Sequence, residues 1–327
     1  MARIWAMDTH RLRRPVVEDA AAIHGLISVY DRSVIGFVDS TLDDISDELT
    51  EPDFDRDNDG WIAEDPGGRI DGWAWACRTG TGSNVRVEVV VRPGVEGLSG
   101  RLWTLVLGRA AEIAAELGHG SVVADIGIYR ADDHRRAEAG AHGFEPGTAF
   151  HRMRIDFGGP VEEPQPQPGV TLHTCAAGPE GEEVRRQAYR VHQEGFAEHF
   201  GFASVDYETW FARREAASTH DWSQLVVARV DGEPAAMVQS TNIFAAEEGC
   251  GYVATLAVLP RFRGQGLGRH LLYHAFAGDV ARGRVGTILH VDSNNTTPAL
   301  GLYTSAGMRP VLVIDVWRRE YPAVQPA

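Results

Sequence analysis

The chain has 327 residues, 43% of them hydrophobic and 24% charged, with a formal net charge of −15. At roughly 150 residues per domain, that length predicts two domains, each able to bury a core. The negative charge works against nucleic acid or an anionic membrane as partner, and no apolar run approaches the roughly 20 residues that span a bilayer. The first fifteen residues lack the apolar core of an export signal. Cys77, Cys175 and Cys250 are too few and too scattered for a disulfide framework or a metal site. The expectation is a cytoplasmic protein without a metal, a monomer or homodimer.

In chain order, "GWIAED" (60–65) and "DGWAWACR" (71–78) read as a hairpin and "NVRVEVVVRP" (84–93) as a third strand. A glycine-bearing loop (94–100), a helix over 101–118, a strand over 121–128, a short helix and a strand over 149–157 follow. Then "GGPVEEPQPQPGV" (158–170) places four prolines in thirteen residues, which blocks both helix and central strand. It reads as a semi-rigid linker over 158–169, between domains at 1–157 and 170–327.

The second half repeats the order. Strands "SQLVVARV" (223–230) and "EPAAMVQSTNIF" (233–244) flank an Asp231-Gly232 turn, and "GCGYVATLAVLP" (249–260) is a third strand. A glycine loop, a helix over about 266–282, a strand over 285–292, a helix over about 295–305 and a last strand over 310–320 complete it. The same order at an offset of about 165 positions is an internal duplication.

The loop "RFRGQGLGR" (261–269) sets three glycines and three arginines between a strand and a helix. A helix start exposes unpaired N–H groups and the positive end of the dipole. Glycines let a phosphate approach the backbone, and arginines add fork-shaped donors. The loop therefore reads as a pyrophosphate cradle. A dinucleotide-binding unit with Asp292 on a ribose is the alternative. However, Arg269 stands where the third glycine of GxGxxG belongs.

These residues resemble a known family. Arg263-Gly264-Gln265-Gly266-Leu267-Gly268 is similar to the R/Q-x-x-G-x-G/A loop of the GNAT N-acetyltransferases, and "LAVLP" (256–260) resembles the strand before it. "NNTTPALGLYTSAGM" (294–308) resembles the family's N-x-x-A-x-x-LY-x-x-x-GF segment, with Met308 for the usual Phe. Two such halves resemble the tandem acetyltransferases that include mycothiol synthase. The resemblance implies an α/β fold of two tandem GNAT domains, each a mixed, mostly antiparallel sheet flanked by helices. It further implies acetyl-CoA as cosubstrate and a small-molecule primary amine as acceptor.

On that reading Leu256, Ala257 and Val258 offer main chain to the pantetheine arm, and residues 263–269 (Arg263, Gly264, Gln265, Gly266, Leu267, Gly268, Arg269) hold the pyrophosphate. Asn295 caps the last helix or bonds the pantetheine. Tyr303 is the expected proton donor, since a phenol of pKa about 10 can protonate a thiolate whose acid has a pKa of about 8.5. The base is open among Glu247, Glu248, Glu194, Glu198, His199 and His290, with Glu248 taken as the catalytic choice and His199, Tyr252 and His290 as substrate contacts. His192 and His199, seven apart, are expected on one helix face. Phe196, His199, Phe200, Phe202, Tyr207 and Trp210 read as an acceptor wall or as helix core.

The first half has Glu96 against Arg263, Ser99 against Gly266 and Ala139 against Tyr303, so it is expected to be degenerate, with Val89–Val91 as any residual CoA contact. Mycothiol synthase proper, acetylating the cysteinyl amine of a sugar–inositol thiol, is a narrower alternative. Against it, Tyr252 stands where that family has a carboxylate. A non-catalytic acyl-CoA-binding protein is the alternative of another class.

Overall fold

A computed structural model describes residues 10–80, 82–162, 164–165, 167–199, 202–293 and 299–323. In chain order these form β1 (Arg11–Arg13), α1 (Ala20–Val34), α2 (Leu42–Thr50), β2 (Gly60–Glu64), β3 (Ile70–Arg78), β4 (Asn84–Val91), α3 (Ser99–Glu116), β5 (Ser121–Tyr129), α4 (Asp133–Ala141) and β6 (Glu145–Asp156). They continue with β7 (Val170–Thr174), α5 (Pro179–Gly195), α6 (Tyr207–Ala216), β8 (His220–Val230), β9 (Glu233–Thr241), β10 (Cys250–Val258), α7 (Leu267–Ala281), β11 (Gly286–Asp292), α8 (Ala299–Ser305) and β12 (Arg309–Pro322). The elements read from the sequence are present. Helices α1 and α2, for which the sequence reading named nothing, are additional.

The chain divides into two compact units, and their limits differ from the expected 1–157 and 170–327. One unit runs to Gly147 and takes in the chain from Asp315 onward; the other is Thr148–Ile314. The reason is strand pairing. Most of β6 joins the second unit, antiparallel to β11 from Phe150↔Asp292 to Asp156↔Gly286. The end of β12 joins the first, where Arg318 donates to both Asp125 oxygens at 2.7 Å and Ala323 N–H donates to Gly120 O at 3.0 Å. The proline-rich stretch thus lies inside the second unit instead of dividing two halves.

In the first unit β1 to β5 lie in sequence order, antiparallel except for β4 and β5. Leu102, Trp103, Val106 and Ile113 of α3 cover one face, and Ile23, Leu26, Ile45 and Leu49 of α1 and α2 pack with Trp73 and Trp75 on the other. Covered on both sides, β3 buries eight consecutive residues, which is why it reads as one apolar run. In the second unit the order is β6-β11-β10-β9-β8-β7, again antiparallel except for the β10–β11 pair. Leu267, Leu271, Leu272 and Phe276 of α7 pack on one face; Val184, Ala188, Val191 and Trp210 of α5 and α6 pack on the other.

Among the described residues no helix is long and apolar enough to cross a membrane, and no three His, Cys, Asp or Glu side chains gather closely enough to hold a metal.

Candidate active site

The site begins with a parting of strands. β10 and β11 pair in parallel only from Cys250↔Gly286 to Val253↔Leu289, although β10 runs on to Val258 and β11 to Asp292. On its other side β10 pairs with β9 through a bulge between Val253 and Thr255. A bulge bends and twists its strand, and here it turns β10 away from its parallel neighbour. Past Val253, therefore, main-chain groups of β10 face an opening instead of a ladder. A cavity of about 340 Å³ occupies that opening, between Val253–Val258 on one wall and Leu289–Asp292 on the other.

The glycine loop closes one end. Gly264 and Gly266 have φ of +78° and +80°, a region open to glycine at little cost. Gly266 caps α7 with no side-chain acceptor, and the first intrahelical bond runs from His270 N–H to Gly266 O. The amides of Leu267, Gly268 and Arg269 thus begin the helix without intrahelical partners, as donors for an anion. Gly264, Gly266, Leu267, Gly268, Arg263 and Arg269 line the cavity, whereas the exposed Gln265 does not. Arg263 also braces the loop, donating to Val258 O at 3.2 Å. Arg261 is engaged by Glu194 and Glu233, at 2.8 and 2.5 Å. This donor set fits a phosphate ester.

Tyr303 reaches the cavity from α8. It is 8% exposed, and burial raises its phenol to about 12, so it is a proton donor throughout the neutral range. Its position is set by the helix end: Met308 N–H donates to Tyr303 O at 3.1 Å around Gly307, whose φ is +91°. That is the glycine-ended cap that the -LYTSAGM- spacing encodes. Asn295 lies outside the described residues.

The histidines stand at the other end. His290 of β11 and His199, beyond the end of α5, both line the cavity. Burial lowers His290 to about 4, with a smaller push from Arg152; burial also lowers His199, against the opposing pull of Asp292. Both imidazoles are held neutral near pH 7. Tyr252 is not on the wall itself; its hydroxyl meets His290 Nδ1 at 3.0 Å and holds that ring from behind. His192 and His199 do not share a helix face, because α5 ends at Gly195. His192 is buried instead against Phe196, Phe202 and Trp210.

Glu248 does not suit the role of base. It is absent from the cavity wall, and both its oxygens are taken, one by Arg152 and one by Arg154 at 2.5 Å. Arg152 is 1% exposed on its side chain, so the carboxylate beside it offsets the cost of burying that charge. Glu248 is a structural counter-ion one strand away from His290, to which Arg152 is register-paired.

The aromatic segment divides between the two expected uses. Phe196 and His199 line the cavity. Trp210, 1% exposed, and Tyr207 belong to the core with Tyr189 and Trp222, and Phe200 lies outside the described residues. Gly195 lets α5 end against the strand: a Cβ there would stand 3.2 Å from Ala257 Cβ.

Phe150 and Asp292 stand on the wall although the sequence reading gave neither a place in this site. Phe150 belongs to β6, which the sequence assigns to the first half. Asp292, bonded by Thr148 Oγ1, drew notice there only as a ribose ligand in the dinucleotide alternative. No local signal marks Phe150, since its place depends on which sheet β6 joins.

Residues 185–308 match the Acetyltransferase (GNAT) family. Mycothiol acetyltransferase from Thermobispora bispora is 29% identical over 238 residues, 71% of this chain and 75% of that protein. A GCN5-related N-acetyltransferase from Sphaerobacter thermophilus superposes with a TM-score of 0.79 at 22% identity, covering 98% of each chain. A tandem GNAT protein from the clavulanic acid biosynthesis pathway gives 0.71 at 17%, covering 97% of this chain and all of its own. With the parted strands and the glycine loop, residues 185–308 carry the pattern of the GNAT acetyltransferase family, and the chain as a whole is similar in sequence to a mycothiol acetyltransferase and in fold to tandem GNAT proteins.

Proposed function

We propose that the protein transfers the acetyl group of acetyl-CoA to a primary amine of a small molecule, with the chemistry in the second unit. The observation that carries this reading is one cavity that joins an unpaired strand edge, an anion-binding loop and a buried, protonated phenol. Bound acetyl-CoA supplies an activated thioester and a thiolate leaving group. The free edge of Ala254–Val258 takes the extended arm as an added strand and its N–H groups polarise the thioester carbonyl. The amides of Leu267–Arg269, with Arg263 and Arg269, hold the pyrophosphate.

His290, neutral and steadied by Tyr252, accepts the proton that the amine gives up as its nitrogen bonds to the carbonyl carbon. Tyr303 donates its phenolic proton to the sulfur as the C–S bond breaks. The proton count closes when His290 returns its proton to solvent and Tyr303 regains one. The first unit holds no acyl donor and serves as structure. A cytoplasmic location fits this chemistry.

A narrower reading takes the cysteinyl amine of a sugar–inositol thiol as acceptor, favoured by the similarity to mycothiol acetyltransferase over 71% of the chain. The deciding experiment is mass spectrometry of products from isotope-labelled acetyl-CoA with a panel of that precursor, aminosugars, polyamines and short peptides. A labelled amide is expected and its identity chooses between the readings. Binding of acetyl-CoA without any product across the panel favours an acyl-CoA-binding protein instead.

A further inference from the structure

Under the far half of α7, away from the glycine loop, lies another cavity of the second unit, about 190 Å³ in volume. Gly278 and Asp279 of α7 and Arg282 just past its end line one side, and Gln224, Val238 and Ser240 of β8 and β9 line the other. It shares no lining residue with the active-site cavity.

Asp279 and Arg282 are opposite charges three positions apart, a spacing that brings side chains together on a helix. Here they are held apart. Asp279, 1% exposed, turns toward β10 and β11: Thr287 Oγ1 donates to it, and Gly251 leaves it space, since a Cβ there would collide with the carboxyl. Arg282 is exposed at the mouth and turns back along the helix to donate to Gly278 O at 3.1 Å. Neither has an ion-pair partner among the described residues. Burial pushes the Asp279 carboxyl up to about 6, so at pH 7 it is still mostly an anion, buried without a close cation.

Two further polar groups of the lining are unspent. Ser240 is buried, and its hydroxyl makes no hydrogen bond among the described residues. Gln224, also buried, gives its amide N–H groups to Asp221 at 3.2 Å and Asn242 at 3.0 Å, which leaves Oε1 as an acceptor. The neighbouring carboxylate of Asp221 is occupied by that contact and by Ser223 N–H at 2.9 Å. The cavity thus offers acceptors inside and a guanidinium at its mouth.

We propose that this cavity binds a small α-amino acid, its ammonium among Asp279, Ser240 and Gln224 Oε1 and its carboxylate on Arg282. Such a ligand carries both charges on one carbon, which matches two opposite charges that stand close and do not meet. The cavity volume restricts its side chain to a small one, set against Val238. No acyl donor enters the argument, so the assignment stands apart from the acetyl-CoA reading.

Calorimetric titration of the full chain with L-alanine tests it, against propionate, which lacks the ammonium, and ethylamine, which lacks the carboxylate. Wild type is expected to bind L-alanine with a Kd of about 1 mM or tighter and each analogue at least about tenfold more weakly. Arg282→Gln, at an exposed position, and Asp279→Asn, which keeps an acceptor for Thr287, should each weaken L-alanine by about tenfold. Thermal unfolding without ligand checks that each variant folds; if Asp279→Asn does not, Arg282→Gln still decides. Absence of L-alanine binding to wild type up to about 10 mM overturns the proposal. So does propionate or ethylamine binding as tightly as L-alanine, or an L-alanine affinity unchanged in folded Arg282→Gln.

Discussion

In the first unit β4 and β5 part after Arg86↔Asp125; in the second β10 and β11 part after Val253↔Leu289. Both units follow the parting with positive-φ glycines and a long helix, at Gly94 and Gly97 in one and Gly264 and Gly266 in the other. Both end the next short helix alike: Phe144 N–H donates to Ala139 O at 3.0 Å around Gly143, as Met308 does to Tyr303 around Gly307. The frames match, and what fills them does not.

Where the second unit has a cavity between α8 and β10, the first spans α4 to β4 with side chains. Arg135 of α4 pairs with Glu88 of β4 and donates to the Tyr30 hydroxyl at 3.1 Å, which in turn donates to Asp132 at 2.6 Å. Glu88 also accepts from Val89 N–H at 2.8 Å, so a main-chain donor expected to meet the cofactor is already spent. At the position of Tyr303 stands Ala139, fully buried in the core. The difference teaches that packing alone preserves the frame, while a handful of polar side chains decide whether its opening binds a ligand.

The comparison can be broken most sharply at Tyr303. Tyr303→Phe is expected to lower kcat by about 10²–10⁴-fold while acetyl-CoA affinity holds, as single-turnover rates and titration would show. Survival of the rate would make the phenol a core residue like its counterpart.

Next come the ion pairs. Arg135→Ala should cost about 3 kcal/mol in urea unfolding, because it strands Glu88 beside buried partners, and should leave acetyl-CoA affinity untouched. Glu248→Gln should likewise cost about 3 kcal/mol by removing the charge that pairs with buried Arg152 and with Arg154, with kcat retained in the folded protein. Loss of kcat in fully folded Glu248→Gln would restore it as a base. Titration to saturation should find one acetyl-CoA per chain; two would mean that the Arg135 network yields to ligand.

The glycines offer a matched pair of smaller effects. Gly97→Ala and Gly266→Ala each force a side chain into the left-handed region at a cost of about 1–2 kcal/mol. Only Gly266→Ala should also weaken acetyl-CoA, by about tenfold, since its amides face the cavity.

The last contrast is in pH. Burial depresses His290 to about 4, so the stability gained by keeping it neutral is present above the ordinary histidine value of about 6.5 and is lost as pH falls through 4. Tyr303 is raised to about 12, so its contribution is full below about 10 and is lost as pH rises through 12. A His290→Asn variant should flatten the acid side of the unfolding profile between pH 6 and 4, roughly, and leave the alkaline side alone.

Much of this was legible in the chain. Local chemistry determined the elements, the duplication, the glycine loop and the tyrosine, because each depends on spacing along a few residues: glycines where φ must be positive, and apolar periods that match strand or helix. Tertiary structure alone decided which edge β6 joins, and thereby put Phe150 on the wall of the active-site cavity and Thr148 against Asp292 of that wall. A strand's alternation names its faces and not its neighbour. It also turned Glu248 from an expected base into a counter-ion, since whether a carboxylate is free depends on cations almost a hundred residues away. And it brought the proline-rich stretch against the glycine loop, a contact that no linear pattern carries.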